Sequence, residues 1–168
     1  MKNPKKFIVP FIGLSLGKHH YEYDIDDSFF QDFEYSEIKQ GNLKVNLVVD
    51  KQSNMLILDF AIEGFVNVMC DRCLDNFDMD ISTNQRLFIK FGEETREETD
   101  QVIVFSSNEY EIDVSQYIYE YIVLSLPHKR IHPEGECDPE VIKKLNELKI
   151  NKEDKDNDPR WDILKNIN

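Results

Sequence analysis

The stretch Leu43-Lys44-Val45-Asn46-Leu47-Val48-Val49 decides the fold class, because apolar residues at 43, 45, 47 and 49 alternate with Lys44, Asn46 and Val48. A period of two sets alternate side chains on opposite faces of an extended strand, so one face of this segment is apolar. After the polar stretch Lys51 to Asn54 the same period resumes at Leu56, Leu58, Phe60 and Ile62. Two such runs across a short polar connection predict an antiparallel hairpin with one buried face.

Working outward, Gly64 interrupts the second run before Phe65, Val66 and Val68 lead into Cys70. A glycine there predicts a bulge or bend that aims the cysteines at the rim of the sheet. Leu87, Ile89 and Phe91 predict a further strand, and Val102 to Phe105 a short one. Between them, Glu93 to Asp100 holds five acids and Arg96 with no apolar residue, the composition of an exposed loop. Upstream, Phe7 to Leu16 reads as a strand interrupted by Gly13 and Gly17. The alternation of His20, Glu22 and Asp24 with Tyr21, Tyr23 and Ile25 gives a second, joined to it around Gly17 and Lys18. A short helix is expected from Asp26 or Asp27, with Phe29, Phe30 and Phe33 on its buried side.

Downstream the period changes. Asp113 is a good N-cap, Gln116 at the third helical position completes a capping box, and Ile112 can staple onto Tyr117. The helix should start at Val114, bury Val114, Tyr117, Ile118, Tyr121 and Leu124, and stop at Pro127. Asp138-Pro139 repeats the cap-then-proline signature before the stripe Val141, Ile142, Leu145 and Leu148. Asn151 to Asn157 is a charged linker, and a third helix follows Asp158-Pro159 with Trp161, Leu164 and Ile167 on one side. These readings give an α+β class: a curved, mainly antiparallel sheet of five to seven strands, one long helix packed on it, and a helical C-terminal extension. A single domain over residues 1–150 and a linker with a tail over 151–168 is the expected organisation.

Forty per cent hydrophobic residues support a packed core, and 32% charged residues a well-hydrated surface. No apolar run approaches the roughly 20 residues that span a bilayer, so a cytoplasmic location is expected. Three cysteines fit reduced thiols or metal ligands better than a secreted disulfide framework. The net charge of −13 argues against broad adhesion to a phosphate backbone. Glu22, Asp24, Asp26, Asp27, Asp32, Glu34 and Glu37 form an acidic run free of Lys and Arg, which is either a solvated face or a surface for a basic protein partner.

The chemistry-bearing residues are few. Cys70-Asp71-Arg72-Cys73 is a CxxC between two strand candidates, the setting in which a knuckle presents two thiolates to zinc. His132 and Cys137, in a loop with Pro133 and Gly135, complete a Cys3His set, with His128 in reserve. Zinc bound by Cys70, Cys73, His132 and Cys137 stands beside the other reading, reduced and partly buried cysteines. A thioredoxin-like redox role fits less well, because that motif opens a helix whose N-terminus lowers the thiol pKa. Arg72, Lys129 and Arg130 form the best candidate patch for RNA phosphate or a partner. Cations complementing the dipole of the preceding helix are the competing explanation for the last two. Trp161 is either a partner anchor or packed on the domain. No phosphate-binding glycine loop, nucleophile elbow or HExxH motif occurs, so nothing places a catalytic pair.

The run Val66 to Phe77, with its Cys70-Asp71-Arg72-Cys73-Leu74, resembles the CxRCL signature of the YceD family. Glu111 to His132, a helix with an acidic start that runs into Leu126-Pro127 and a downstream His and Cys, resembles the same family, as does the closing Asp158 to Lys165. The likeness covers about Phe7 to Ile167. Some relatives carry further cysteines after the proline, which this chain lacks. The resemblance implies a bacterial, non-enzymatic accessory factor that supports synthesis, processing or accumulation of large-subunit ribosomal RNA. Its expected partners are ribosomal RNA precursor or ribosome-assembly proteins. An acidic interaction module that recruits a basic protein without touching RNA is the alternative, and a metal-dependent hydrolase with an open coordination position is a further one.

Overall fold

The computed structural model describes residues 6–106 and 108–149. Within them the chain runs β1 (Ile8–Val9), β2 (Gly17–Ile25), α1 (Asp27–Gln31), β3 (Gly41–Lys51), β4 (Met55–Met69), β5 (Asn76–Gly92), β6 (Arg96–Thr99), β7 (Val102–Ser106), β8 (Ile112–Asp113), α2 (Ser115–Ser125) and α3 (Pro139–Glu147). Six strands form one sheet in the order β2-β3-β4-β5-β7-β6, and β1 pairs with β8 in a separate two-stranded one. All pairs are antiparallel except β5 with β7. The protein is therefore α+β with a mainly antiparallel sheet.

The hairpin forms where the alternation placed it, with Val45 opposite Ile62, Leu47 opposite Phe60 and Val49 opposite Leu58. Leu58 in turn faces Leu87, and Leu56 faces Ile89, so the apolar row continues from β3 to β5. These side chains are buried on one face together with Phe30, Ile118 and Ile122 from the helices. The opposite face presents Lys44, Asn46, Glu63, Asn84 and Arg86, the polar half of the same alternation. Asp26 caps α1 by accepting the Ser28 N–H at 3.0 Å, and Phe29 and Phe30 are buried below it, as expected.

Several expectations need correction. Phe7 to Leu16 is not one strand: only Ile8–Val9 is extended, and it pairs with β8, not with β2. Pro10 has no N–H for a ladder, and the chain turns through the Leu14 N–H to Phe11 carbonyl bond. Lys51 fastens this turn by donating to the carbonyls of Phe11, Ile12 and Leu14 at 2.8, 3.1 and 2.8 Å. Gly64 makes no bulge, since the register of β4 is continuous through it on both sides. The residue is required because the β3 backbone lies where its Cβ would be. The supposed loop Glu93 to Asp100 contains β6, an edge strand exposed throughout, whose charged side chains suit an edge and hid it from hydropathy.

The main helix α2 is 11 residues, not a long helix, and starts at Ser115. Asp113 accepts the Ser115 N–H at 2.9 Å, but Gln116 bonds Glu120 at 2.7 Å instead of reaching back, so the capping box does not close. Its buried face is Ile118, Tyr121 and Ile122, whereas Leu124 is 76% exposed. In α3, Asp138 accepts from the N–H groups of Glu140 and Val141 with Pro139 at its start, as the signature predicts. Its Val141 and Ile142 are half-buried, while Leu145 and Leu148 face outward. The linker and third helix predicted from Asn151 onward lie outside the described residues.

Candidate metal centre

β4 ends at Met69, so Cys70 is delivered at the end of the sheet and Cys73 follows in the turn into β5. That turn is a knuckle. The Cys70 N–H donates to the Asp75 carbonyl at 2.9 Å, and the Leu74 N–H donates to the Cys70 carbonyl at 3.0 Å. The Arg72 N–H points at the Cys70 sulfur at 3.4 Å. Leu74 takes a positive φ of 67° to close the turn.

The second half comes from the chain beyond α2. Although the 63 residues from Leu74 to Glu136 separate the cysteines in sequence, the loop is fastened to the knuckle by two backbone-level bonds. The Asp71 N–H donates to the Arg130 carbonyl at 2.7 Å, and the Arg130 N–H donates to the Asp71 carboxylate at 2.6 Å. These bonds set His132 and Cys137 beside the pair. The ligand atoms of Cys70, Cys73, His132 and Cys137 all lie within 4.8 Å of one another, as the motif predicts. His128 is not part of this group.

The distances can be tested against zinc. Bonds of about 2.3 Å to sulfur and about 2.0–2.1 Å to nitrogen at tetrahedral angles set sulfurs about 3.8 Å apart and sulfur about 3.6 Å from nitrogen. The Cys70 and Cys137 sulfurs are 3.9 Å apart, and His132 Nδ1 lies 3.3 Å from the Cys73 sulfur and 3.8 Å from that of Cys137. The donor set and its spacing fit a tetrahedral ion.

The surroundings support the same chemistry. All three cysteines are buried and free of disulfides. Burial pushes the Cys70 thiol up, yet the N–H groups of Cys73, His132 and Arg72, with the His132 ring, outweigh it and bring that thiol down to about 5. The Cys137 thiol is pushed up by burial and by its hydrogen bonds to the other two sulfurs, as expected for packed thiols competing for one charge. Phe77 lies against the His132 ring with centroids 4.4 Å apart, and Ile131, Val141 and Ile142 close the apolar side.

Sequence reasoning missed Asp71 as the latch between the two halves, because a lone acid within a CxxC carries no spacing signal. It also missed the partners of Arg130, whose guanidinium lies 3.2 Å from Glu37 and 3.9 Å from Asp71. Arg72 is half-buried and Lys129 exposed. Among the described residues no helix is long and apolar enough to cross a membrane.

Fold and site together define an open, mainly antiparallel sheet that carries a Cys3His knuckle at one end, held shut by the loop after its main helix. Residues 58–168 match the family model described as large ribosomal RNA subunit accumulation protein YceD, and the chain belongs to that family. The match starts within β4, so it is narrower than a likeness from Phe7, and it contains all four donors. No curated protein and no solved structure matches the chain.

Proposed function

We propose that the chain is a non-enzymatic accessory factor of large-ribosomal-subunit biogenesis, acting in the cytoplasm through contacts with assembly proteins or precursor ribosomal RNA. The observation that carries this reading is the family match across 58–168, with its description in terms of large-subunit ribosomal RNA. Cys70, Cys73, His132 and Cys137 hold zinc in this reading. Four protein donors fill a tetrahedral shell and leave no position for a substrate, which favours a structural ion over a hydrolase. Zinc then cross-links the β4–β5 turn to the loop after α2, and that cross-link fixes Arg72, Lys129 and Arg130 near one another as the surface that meets RNA or a partner. Since Glu37 and Asp71 already neutralise Arg130, its contribution to RNA contact is small.

Depletion tests the reading. Mature large-subunit RNA is expected to fall relative to small-subunit RNA, and the cysteine variant Cys73→Ser is expected to fail in restoring it. An unchanged ratio with a normal subunit profile overturns the assembly role.

A further inference from the structure

In β2 the exposed side chains are Lys18, His20, Glu22 and Asp24, so the two basic residues precede Tyr21 and the two acids follow it. The strand ends the six-stranded sheet and pairs, among the described residues, with β3 alone. Which of its peptide groups are free follows from the ladder. At the two ends of β3 the Asn67 N–H donates to the Gln40 carbonyl and the Gln52 N–H to the Met55 carbonyl, so even-numbered residues there direct their peptide groups at β4 and odd-numbered ones at β2. Odd residues of β3 lie opposite odd residues of β2. The N–H and C=O groups of Lys18, His20, Glu22 and Asp24 therefore point out of the sheet. The Asp24 carbonyl accepts from the Lys6 ammonium at 3.0 Å, as an outward group is free to do.

A row of unpaired peptide groups is a template for another strand, and sheet edges are ordinarily guarded against it. The opposite edge is guarded: β6 has four residues, all exposed, and its register slips between Glu97 and Thr99. By contrast β2 holds nine residues in unbroken register with β3 and contains no proline. Its guard is charge, and a second copy of the same strand, running antiparallel, cancels that charge.

We propose that two copies of the chain pair β2 to β2, antiparallel, about a two-fold axis at Tyr21, and so join two six-stranded sheets into one. In that register Lys18 lies opposite the second copy's Asp24 and His20 opposite its Glu22, and the symmetry repeats each pair. All four are residues with free peptide groups, so each pair exchanges two N–H···O bonds. The second lone pair of the Asp24 carbonyl lets it keep Lys6 as well. On the core side Tyr21, whose ring stacks on Tyr23 with centroids 6.5 Å apart, meets its own copy, and His19 lies opposite Tyr23. Because the free peptide groups are the even-numbered ones, the register shifts in steps of two. One step sets Glu22 against Glu22, and the other sets His20 against itself and moves Asp24 opposite Leu16, outside the strand. In-register parallel pairing sets every charge against its like. The inference is independent of the assembly reading.

The test is sedimentation velocity of the zinc-loaded full chain under reducing conditions, joined to amide hydrogen exchange read by NMR. A contact along one strand edge lies at the small, weak end of protein interfaces, so a dimer of 19.9 kDa protomers is expected with a Kd on the order of 10 µM. Protection of the Lys18, His20, Glu22 and Asp24 amides should rise with concentration, while the odd-numbered amides of β2 are protected throughout. Lys18→Glu and Asp24→Lys each set like charges opposite one another twice and should weaken the dimer about tenfold. The double variant restores opposite charges in the same register and should return Kd to within about threefold of the native value. Glu22→Pro removes an N–H that β3 does not use, and should abolish pairing while an unchanged core spectrum checks folding. The proposal is overturned by a monomer at about 500 µM, by a dimer indifferent to the single charge reversals, by failure of the double variant to restore it, or by even-numbered β2 amides already protected in the monomer.

Discussion

Replacing Gly64 by alanine is expected to be among the most damaging single-methyl additions in the chain. Gly64 sits inside β4, paired with Leu43 on one side and Ile81 on the other, at a φ of +145°. Two costs add. An L-residue held in that backbone region costs about 1–3 kcal/mol. The new Cβ would also press into the Asn42 carbonyl oxygen and stand 2.6 Å from the Leu43 Cα, both backbone atoms that cannot rotate away. Relief requires β3 to move off β4, and overpacking of this kind costs about 1–3 kcal/mol more. A total of about 4 kcal/mol is a large share of the 5–15 kcal/mol typical of a domain, and lowers Tm by roughly 8–16 °C at about 2–4 °C per kcal/mol. Two controls separate the costs under identical metal-loaded conditions. Gly135→Ala, at φ +90° with nothing within 4 Å, carries only the backbone cost, and Gly13→Ala, with open space around it, should stay within about 0.5 kcal/mol. Calorimetry and urea titration give the ranking. A Gly64→Ala chain that melts within about 2 °C of the native one, or no lower than Gly135→Ala, refutes the close-approach reasoning.

Protein purified without chelator or affinity tag should carry zinc at close to one equivalent, and chelation should lower Tm by roughly 8–16 °C, as expected for about 4 kcal/mol of linkage at a free ion level a thousandfold above Kd. Less than a tenth of an equivalent by elemental analysis rejects the structural ion. Tyr23→Phe should leave stability at pH 7 unchanged or raised, because the buried Tyr23 hydroxyl has no partner to lose. Burial pushes that phenol up to about 12, so the folded chain keeps a proton that the unfolded chain sheds near pH 10. Native stability is therefore intact below pH 10 and falls by on the order of 2–3 kcal/mol as pH rises toward 12. The Phe variant should lose less over that window, and an identical alkaline decline in both chains contradicts the assignment. Direct RNA binding, where found, should show a logarithmic salt slope of about two to three phosphates, lowered by about one in Lys129→Ala. A much steeper slope places the RNA surface elsewhere.

Alternation at Leu43 to Val49 and Leu56 to Ile62 determined the central hairpin, and local chemistry determined the caps at Asp26 and Asp138, because each depends on residues within a few positions of one another. The CxxC and the downstream His and Cys named all four candidate ligands, since donor types can be read from a chain. Tertiary structure alone decided that they meet, through Asp71 and Arg130, two residues 59 apart in sequence. It also converted the acidic stretch after Phe91 into edge strand β6, where pairing with β7 overrides composition. Leu124 turned outward and Ile122 inward because the buried arc of α2 is chosen by how the helix packs on the sheet, with Tyr121 against Phe60, and not by its capping signature. Spacing along a chain fixes which faces are apolar and which donors exist, while the distances that turn donors into a site are set by how distant segments pack.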